Sequence, residues 1–178
     1  TTNGRFILTL YEKRVEAGDL PYFMALLDHL ANRGNPVPPA IKDRHGDALQ
    51  TLEGRPACLI RFLPGVSVSH PTAAQAEAAG AAMGRMHASL TDFAQVRDNS
   101  MGVPTWQPLF DRCGRSLDDM APNLHAEAGA MVDRVVSGWQ GDRFPQGTIH
   151  ADLFPDNVLM RGSDVTGLID FYFACSDA

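Results

Sequence analysis

A short hairpin bracketed by polar residues constrains this chain more than any other stretch. Val158–Met160 and Val165–Ile169 each read as a strand, and Arg161-Gly162-Ser163-Asp164 between them has the composition of a turn. Folding back near Ser163 sets Asn157 and Asp170 almost opposite one another across the ladder. One amide oxygen and one carboxylate then face a common point. Mg²⁺ arriving with a nucleotide takes few protein oxygens, because water and phosphate oxygens complete its shell. Asp152 stands five residues before Asn157, on the loop leaving the strand Thr148-Ile149, where a substrate hydroxyl can meet it beside the metal.

The neighbouring polar residues have plainer roles. His150 is expected to hold the loop by hydrogen bonds, and Asp156 and Asp164 are turn chemistry.

Upstream, Arg5 to Tyr11 alternates bulky residues on both faces and reads as a strand covered on both sides. Asp19 is the expected N-cap of a helix from Leu20, with Leu20, Phe23, Met24, Leu27, Leu30 and Ala31 on one stripe and Gly34 as the stop. Asn35-Pro-Val-Pro-Pro39 is a stiff connector. Ala48–Leu52 and Ala57–Phe62 are two further strands. The Pro/Gly content of Leu63–His70 suits a crossing between lobes. Thr72-Ala-Ala-Gln75 matches a capping box, opening a helix with Ala76, Ala79, Met83, Met86 and Leu90 on its apolar stripe; Gly80, Gly84 and Ala88 offer a strip for close approach. Trp106–Cys113 is a short helix ended by Gly114, and a second helix from about Asn123 carries Leu124, Ala128, Met131, Val135 and Trp139 on one side.

Composition narrows the classes. With 44% hydrophobic residues the 178-residue chain can bury a core, and its net charge of -6 leaves no basic footprint for nucleic acid or an anionic membrane surface. Cys58, Cys113 and Cys175 are too widely spaced for a zinc or redox motif. No apolar run is long enough for a membrane span. Reduced thiols fit a cytoplasmic protein.

The run His150-x-Asp152-x-x-x-x-Asn157, followed by Asp170-Phe171, matches a phosphotransfer motif position by position, with Ala151 for the Arg usual in protein kinases and Tyr172 for the Gly of D-F-G. It resembles the aminoglycoside phosphotransferase and choline kinase superfamily. Leu8-Thr-Leu-Tyr-Glu-Lys-Arg14, Leu20-Pro-Tyr-Phe23, Arg61-Phe-Leu-Pro-Gly65 and Asp98-Asn-Ser-Met-Gly102 before Trp106 resemble its homoserine kinase branch.

The resemblance implies an α+β, protein-kinase-like two-lobed fold: a small mixed N-lobe over residues 1–62, a linker over 63–71, and a helical C-lobe with the catalytic hairpin over 72–178. It implies ATP and Mg²⁺ as cofactors and L-homoserine as acceptor, with Asp152 as catalytic base and Asn157 and Asp170 as metal ligands. Arg61, Phe62 and Leu63 would meet the adenine through their backbone. Thr9 stands where many members carry a phosphate-binding Lys or Arg; Lys13 and Arg14 are alternative cations, and Asp28 a candidate acidic partner. An amino-acid acceptor needs a cation for its carboxylate, expected in the missing C-terminal helices; within the chain Arg161 and Arg97 do not rise above surface charges. Another acceptor (choline, an aminoglycoside, a sugar) and a catalytically silent nucleotide-binding module are the alternatives. The opening Thr1-Thr-Asn-Gly4 reads as a hairpin tip and the end at Ala178 as early for such a kinase, so a fragment of a longer chain is expected.

Overall fold

A computed structural model describes residues 4–12 and 15–178. The expectations for Lys13, Arg14 and the Thr1–Asn3 part of the hairpin tip lie outside the described residues. Two compact units emerge: the residues up to Arg97 together with Gly147–Cys175, and Asp98–Gln146 together with Ser176–Ala178.

The first unit begins with strand β1 (Phe6–Leu10) and helix α1 (Leu20–Asn32), followed by strands β2 (Leu49–Leu52) and β3 (Arg55–Arg61). The three strands form an antiparallel sheet in the order β1-β3-β2. The β2–β3 connection is Glu53-Gly54, and both residues have positive φ, +50° and +73°, as a two-residue type I′ turn demands. Strand β1 is not covered on both faces as its sequence suggests. It lies at the sheet edge, and Phe6, Leu8 and Leu10 on one face are exposed. On the other face Ile7 and Thr9 point toward a cavity.

Helix α1 is the centre of the core. Leu20, Phe23, Leu26 and Leu30 are almost wholly buried, and Tyr22, Met24 and Leu27 nearly so, which makes the buried face wider than the predicted stripe. Gly34 turns the chain at φ +76° after the helix. Asp19 does not cap α1: its backbone is already helical, and its carboxylate instead accepts from Arg97 Nε at 2.8 Å. Asp28 pairs with Lys42 Nζ at 2.6 Å.

Strand β4 (Val66–Ser67) leads into helix α2 (Ala73–Ser89), whose capping box forms as expected between Thr72 and Gln75. The inward face of α2 is Ala82 and Met86, continued by Leu90; Met83 and Ala76 are exposed instead. Nothing stands within 4 Å of a Cβ built at Gly80 or Gly84, so the small residues mark no close approach among the described residues. The second unit contains helices α3 (Trp106–Cys113) and α4 (Leu124–Gly138), packed through Phe110 stacked on His125 at 4.9 Å. Asp118 Oδ1, rather than Asn123, accepts from an N–H of the first turn of α4. Met131 and Val135 on the predicted stripe are exposed.

The chain returns to the first unit with strand β5 (Gly147–Ile149), then the hairpin β6 (Val158–Arg161) and β7 (Asp164–Leu168); β8 (Cys175–Asp177) follows. The hairpin turn is Gly162-Ser163, with Gly162 at φ +59°. Strand β4 adds to β6, giving the order β4-β6-β7. A bulge between Leu159 and Met160 leaves Thr166 as the extra residue, and its hydroxyl donates to Leu159 O at 3.2 Å. Residues 63–65 pass close to this hairpin, with Gly65 against Leu159 and Leu63 against Gly167.

Gly65 has φ +150°, and a Cβ there would stand 2.4 Å from Thr166 Oγ1, 3.0 Å from Leu159 Cβ and 3.2 Å from Met160 N. The hydroxyl can rotate aside, but the strand cannot. Gly65→Ala should therefore lower the unfolding free energy by about 2–4 kcal/mol, seen as a lower urea midpoint at unchanged slope. A variant as stable as the parent would show that this approach is not tight.

Candidate active site

Strand β5 delivers His150, buried at the head of the loop that carries Asp152. Its Nε2 lies 2.9 Å from the carbonyl oxygen of Ile169, and its Nδ1 accepts the Asp152 N–H at 3.3 Å. A ring that accepts at Nδ1 and bonds a carbonyl at Nε2 is the neutral, Nε2-protonated tautomer. Burial, the largest influence, pushes the His150 pKa below its ordinary value. The ring also packs on Phe171, with centroids 4.4 Å apart. One imidazole thus ties the residue two beyond it to the residue just before Asp170.

Asn157, also buried, adds a second tie. Its Nδ2 donates to Asp152 O at 2.8 Å and to Asp152 Oδ2 at 3.2 Å, while its backbone carbonyl accepts from Ile169 N at 3.0 Å. Val158 pairs with Leu168, so Asn157 faces Ile169 and Asp170 follows one residue on. With the amide nitrogen committed, the amide oxygen is the Asn157 atom that can take a cation.

Two non-glycine residues at this site have left-handed backbones: Ala151 at φ +61° and Asp170 at φ +63°. Conformations of this kind cost free energy and persist where surrounding contacts impose them. Sequence reasoning missed both, because neither position carries the glycine that signals positive φ. Asp170 opens to solvent, yet the atoms packed around it, then the charge of Asp152, hold its carboxyl above the usual carboxylate range; Asp156 adds to this and His150 opposes it. Two acidic groups crowded in this way attract a cation. Among the described residues no three His, Cys, Asp or Glu side chains converge as a metal cage, and one amide with one carboxylate is the donor set of a metal that also binds phosphate oxygens.

Beside Asp170 a cavity of about 350 Å³ opens within the first unit. Thr9, Arg61, Phe62, Leu63 and Asp170 all line it, with Ile7, Ile60, Leu27, Leu159 and Tyr172. Asp152 and Asn157 are not in the lining. At the 61–63 end, the N–H groups of Arg61 and Phe62 are already bonded to Pro39 O and Arg5 O, which directs any backbone pairing with a base to the other groups. The Arg5 guanidinium covers the Phe62 ring at 3.7 Å. Arg97 is withdrawn from any acceptor role: its guanidinium bonds Asp19, donates to Ala174 O at 3.1 Å and lies over Phe23.

The phosphotransferase enzyme family model matches residues 1–177. The chain belongs to that family. It is 49% identical over 178 residues to a homoserine kinase of Methylorubrum populi, and 46% identical over 179 residues to one of Hyphomonas neptunium; each alignment takes in all of this chain and 55% of the relative. The chain therefore spans about half the length of the curated relatives it matches. Among solved structures, the amicoumacin kinase hAmiN in complex with AMP-PNP, Ca²⁺ and Ami superposes with a TM-score of 0.67 at 14% identity, over 96% of this chain and 52% of that one. Spectinomycin phosphotransferase APH(9)-Ia in complex with ADP and spectinomycin gives 0.68 at 15%, over 96% and 57%. At these identities the likeness shows the fold, which is the α+β kinase-like one. No helix among the described residues is long and apolar enough to cross a membrane.

The buried His150 predicts a pH dependence. The folded protein protonates this ring at lower pH than the unfolded chain does, so below about pH 6.5 the unfolded state binds more protons and stability falls as pH drops. Asp170 acts with the opposite sign: its raised folded value gives stability that is lost as pH rises through that value. His150→Gln removes the first effect and keeps the second. Between about pH 7 and 5 the parent should lose unfolding free energy more steeply than the variant in urea titrations; parallel profiles would contradict a buried neutral ring.

Proposed function

We propose that this chain is the nucleotide-binding and catalytic-loop portion of an ATP-dependent kinase whose acceptor is the side-chain hydroxyl of L-homoserine, giving O-phospho-L-homoserine. One observation carries the nucleotide half of this reading: Thr9, Arg61, Phe62 and Leu63 share a single cavity with Asp170. The acceptor rests on the relatives named homoserine kinase, which match the whole of this chain. The lobe division at residues 62 and 72 and a cytoplasmic location belong to the same proposal.

In this reading Asp170 and the amide oxygen of Asn157 would hold Mg²⁺, whose contribution is to neutralise charge on the transferring phosphoryl group. The backbone at Leu63 takes the adenine edge, and the apolar walls Ile7, Ile60 and Leu159 take its faces. Asp152 receives the acceptor's hydroxyl proton. The Asn157 Nδ2 bond holds the Asp152 carboxylate in place, and the Asp152 N–H bond to His150 holds its backbone. Proton transfer by a group so positioned contributes roughly 10²- to 10⁴-fold in rate.

A silent nucleotide-binding module is the second reading, favoured by one observation: Thr9 occupies the strand position where a cation would meet the phosphates. ADP release with Mg-ATP, assayed in the protein that carries this chain, separates the two. Turnover is expected with L-homoserine and not with L-serine, choline or an aminoglycoside, and Asp152→Asn should lower kcat by roughly 10²- to 10⁴-fold with little change in nucleotide affinity. Turnover with choline or an aminoglycoside alone would keep the phosphotransfer reading and discard the acceptor. Nucleotide binding without turnover on any of them would favour the silent module.

A further inference from the structure

Tyr172 follows Asp170 by two residues, at the position of the glycine in D-F-G. Its ring lines the 350 Å³ cavity and also a second, wider one of about 1010 Å³; Thr9 is the other residue common to both. Thr9 and Tyr172 are therefore the wall between the two cavities. The Tyr172 hydroxyl lies 2.9 Å from the Tyr11 hydroxyl, which lies 3.0 Å from Cys58 Sγ. Thr9 sits directly opposite Cys58 in the β1–β3 ladder. Tyr172, Tyr11 and Cys58 thus form a neutral hydrogen-bonded chain beside β1. Edge-on contacts with Tyr11 at 5.4 Å and Phe23 at 5.5 Å fix the Tyr172 ring itself.

Asp170 needs such a support. Its left-handed backbone is held on the preceding side by His150 through Ile169 O. On the following side, Phe171 packs on His150, and Tyr172 reaches across to the sheet. Among the described residues lining the nucleotide cavity, the cationic one is Arg61, at the opposite end of β3 from Tyr11; Arg55 in the wider cavity is paired with Glu12. No charge pair joins β1 to the Asp170 segment among these residues.

We propose that Tyr172 is a positioning residue for the metal-nucleotide, its hydroxyl tying the Asp170 segment to the end of strand β1 through Tyr11. This rests on the nucleotide reading of the cavity. A bond between neutral groups takes the place of a strand cation and its acidic partner: it sets where Asp170 stands relative to the strand without itself contacting phosphate.

The test is isothermal titration of the protein carrying this chain with Mg·AMP-PNP and, separately, with adenosine, which reaches only the base end. Tyr172→Phe removes one hydroxyl and keeps the ring. Its affinity for Mg·AMP-PNP should fall by about 5- to 10-fold, the effect of one lost hydrogen bond, while adenosine binds as in the parent. Tyr11→Phe removes the same bond from the other end, should behave alike, and carries the prediction if Tyr172→Phe does not fold. The double variant should lose little more than either single one, because both act on one network. Unchanged Mg·AMP-PNP affinity in both variants, or an equal loss for adenosine, would overturn the positioning role. A parent that binds neither ligand would overturn the nucleotide reading, and the inference with it.

Discussion

A single neutral imidazole holds the candidate site together. His150 takes the Asp152 amide on one nitrogen and meets the Ile169 carbonyl with the other, so the loop that carries a potential base and the strand end that carries a potential metal ligand cannot move independently. Both segments leave regular structure here, and both contain a left-handed residue without glycine. Hydrogen bonds to buried backbone groups are worth most when the alternative is an unpaired donor or acceptor. A charged ring could not accept the Asp152 N–H, and its burial would be costly. The depressed His150 pKa and the geometry are therefore two views of the same arrangement.

From that anchor the electrostatics follow. Asp152 is brought near enough for its charge to be felt at Asp170, and Asn157 binds Asp152 through its amide nitrogen. The sheet supplies apolar walls on one side of Asp170 and a neutral hydroxyl and thiol network beneath β1. Negative charge is concentrated at one end of the cavity and largely absent from the other. A ligand with an apolar, flat end and a metal-bearing anionic end suits that distribution.

The parts of this architecture that could be read from the sequence are those written in local chemistry. Glu53-Gly54 and Gly162-Ser163 mark their turns, Thr72 and Gln75 mark their cap, and the hairpin sets Asn157 opposite Ile169, one residue before Asp170. What could not be read depends on contacts distant in sequence. Arg97 reads as a surface charge until Asp19 is folded against it, which also takes the expected cap from α1. The Tyr11–Tyr172 bond spans 161 positions and leaves no periodic trace. Hydrophobic patterns located strands and helices but not their cover: β1 and Met83 are apolar and exposed. The bulge at Thr166 was invisible for a different reason, since one extra residue shifts register without altering composition.

The account turns on Asn157 and Asp170 holding one metal together with a nucleotide. The most direct measurement is electron paramagnetic resonance of Mn²⁺ in the presence of AMP-PNP, comparing the parent with Asp170→Asn and Asn157→Leu in the protein carrying this chain. The account predicts a bound Mn²⁺ signal coupled to ³¹P in the parent, with Mn²⁺ affinity of the complex weakened by roughly 10- to 100-fold in each variant. A parent-like signal and affinity in both variants would contradict it.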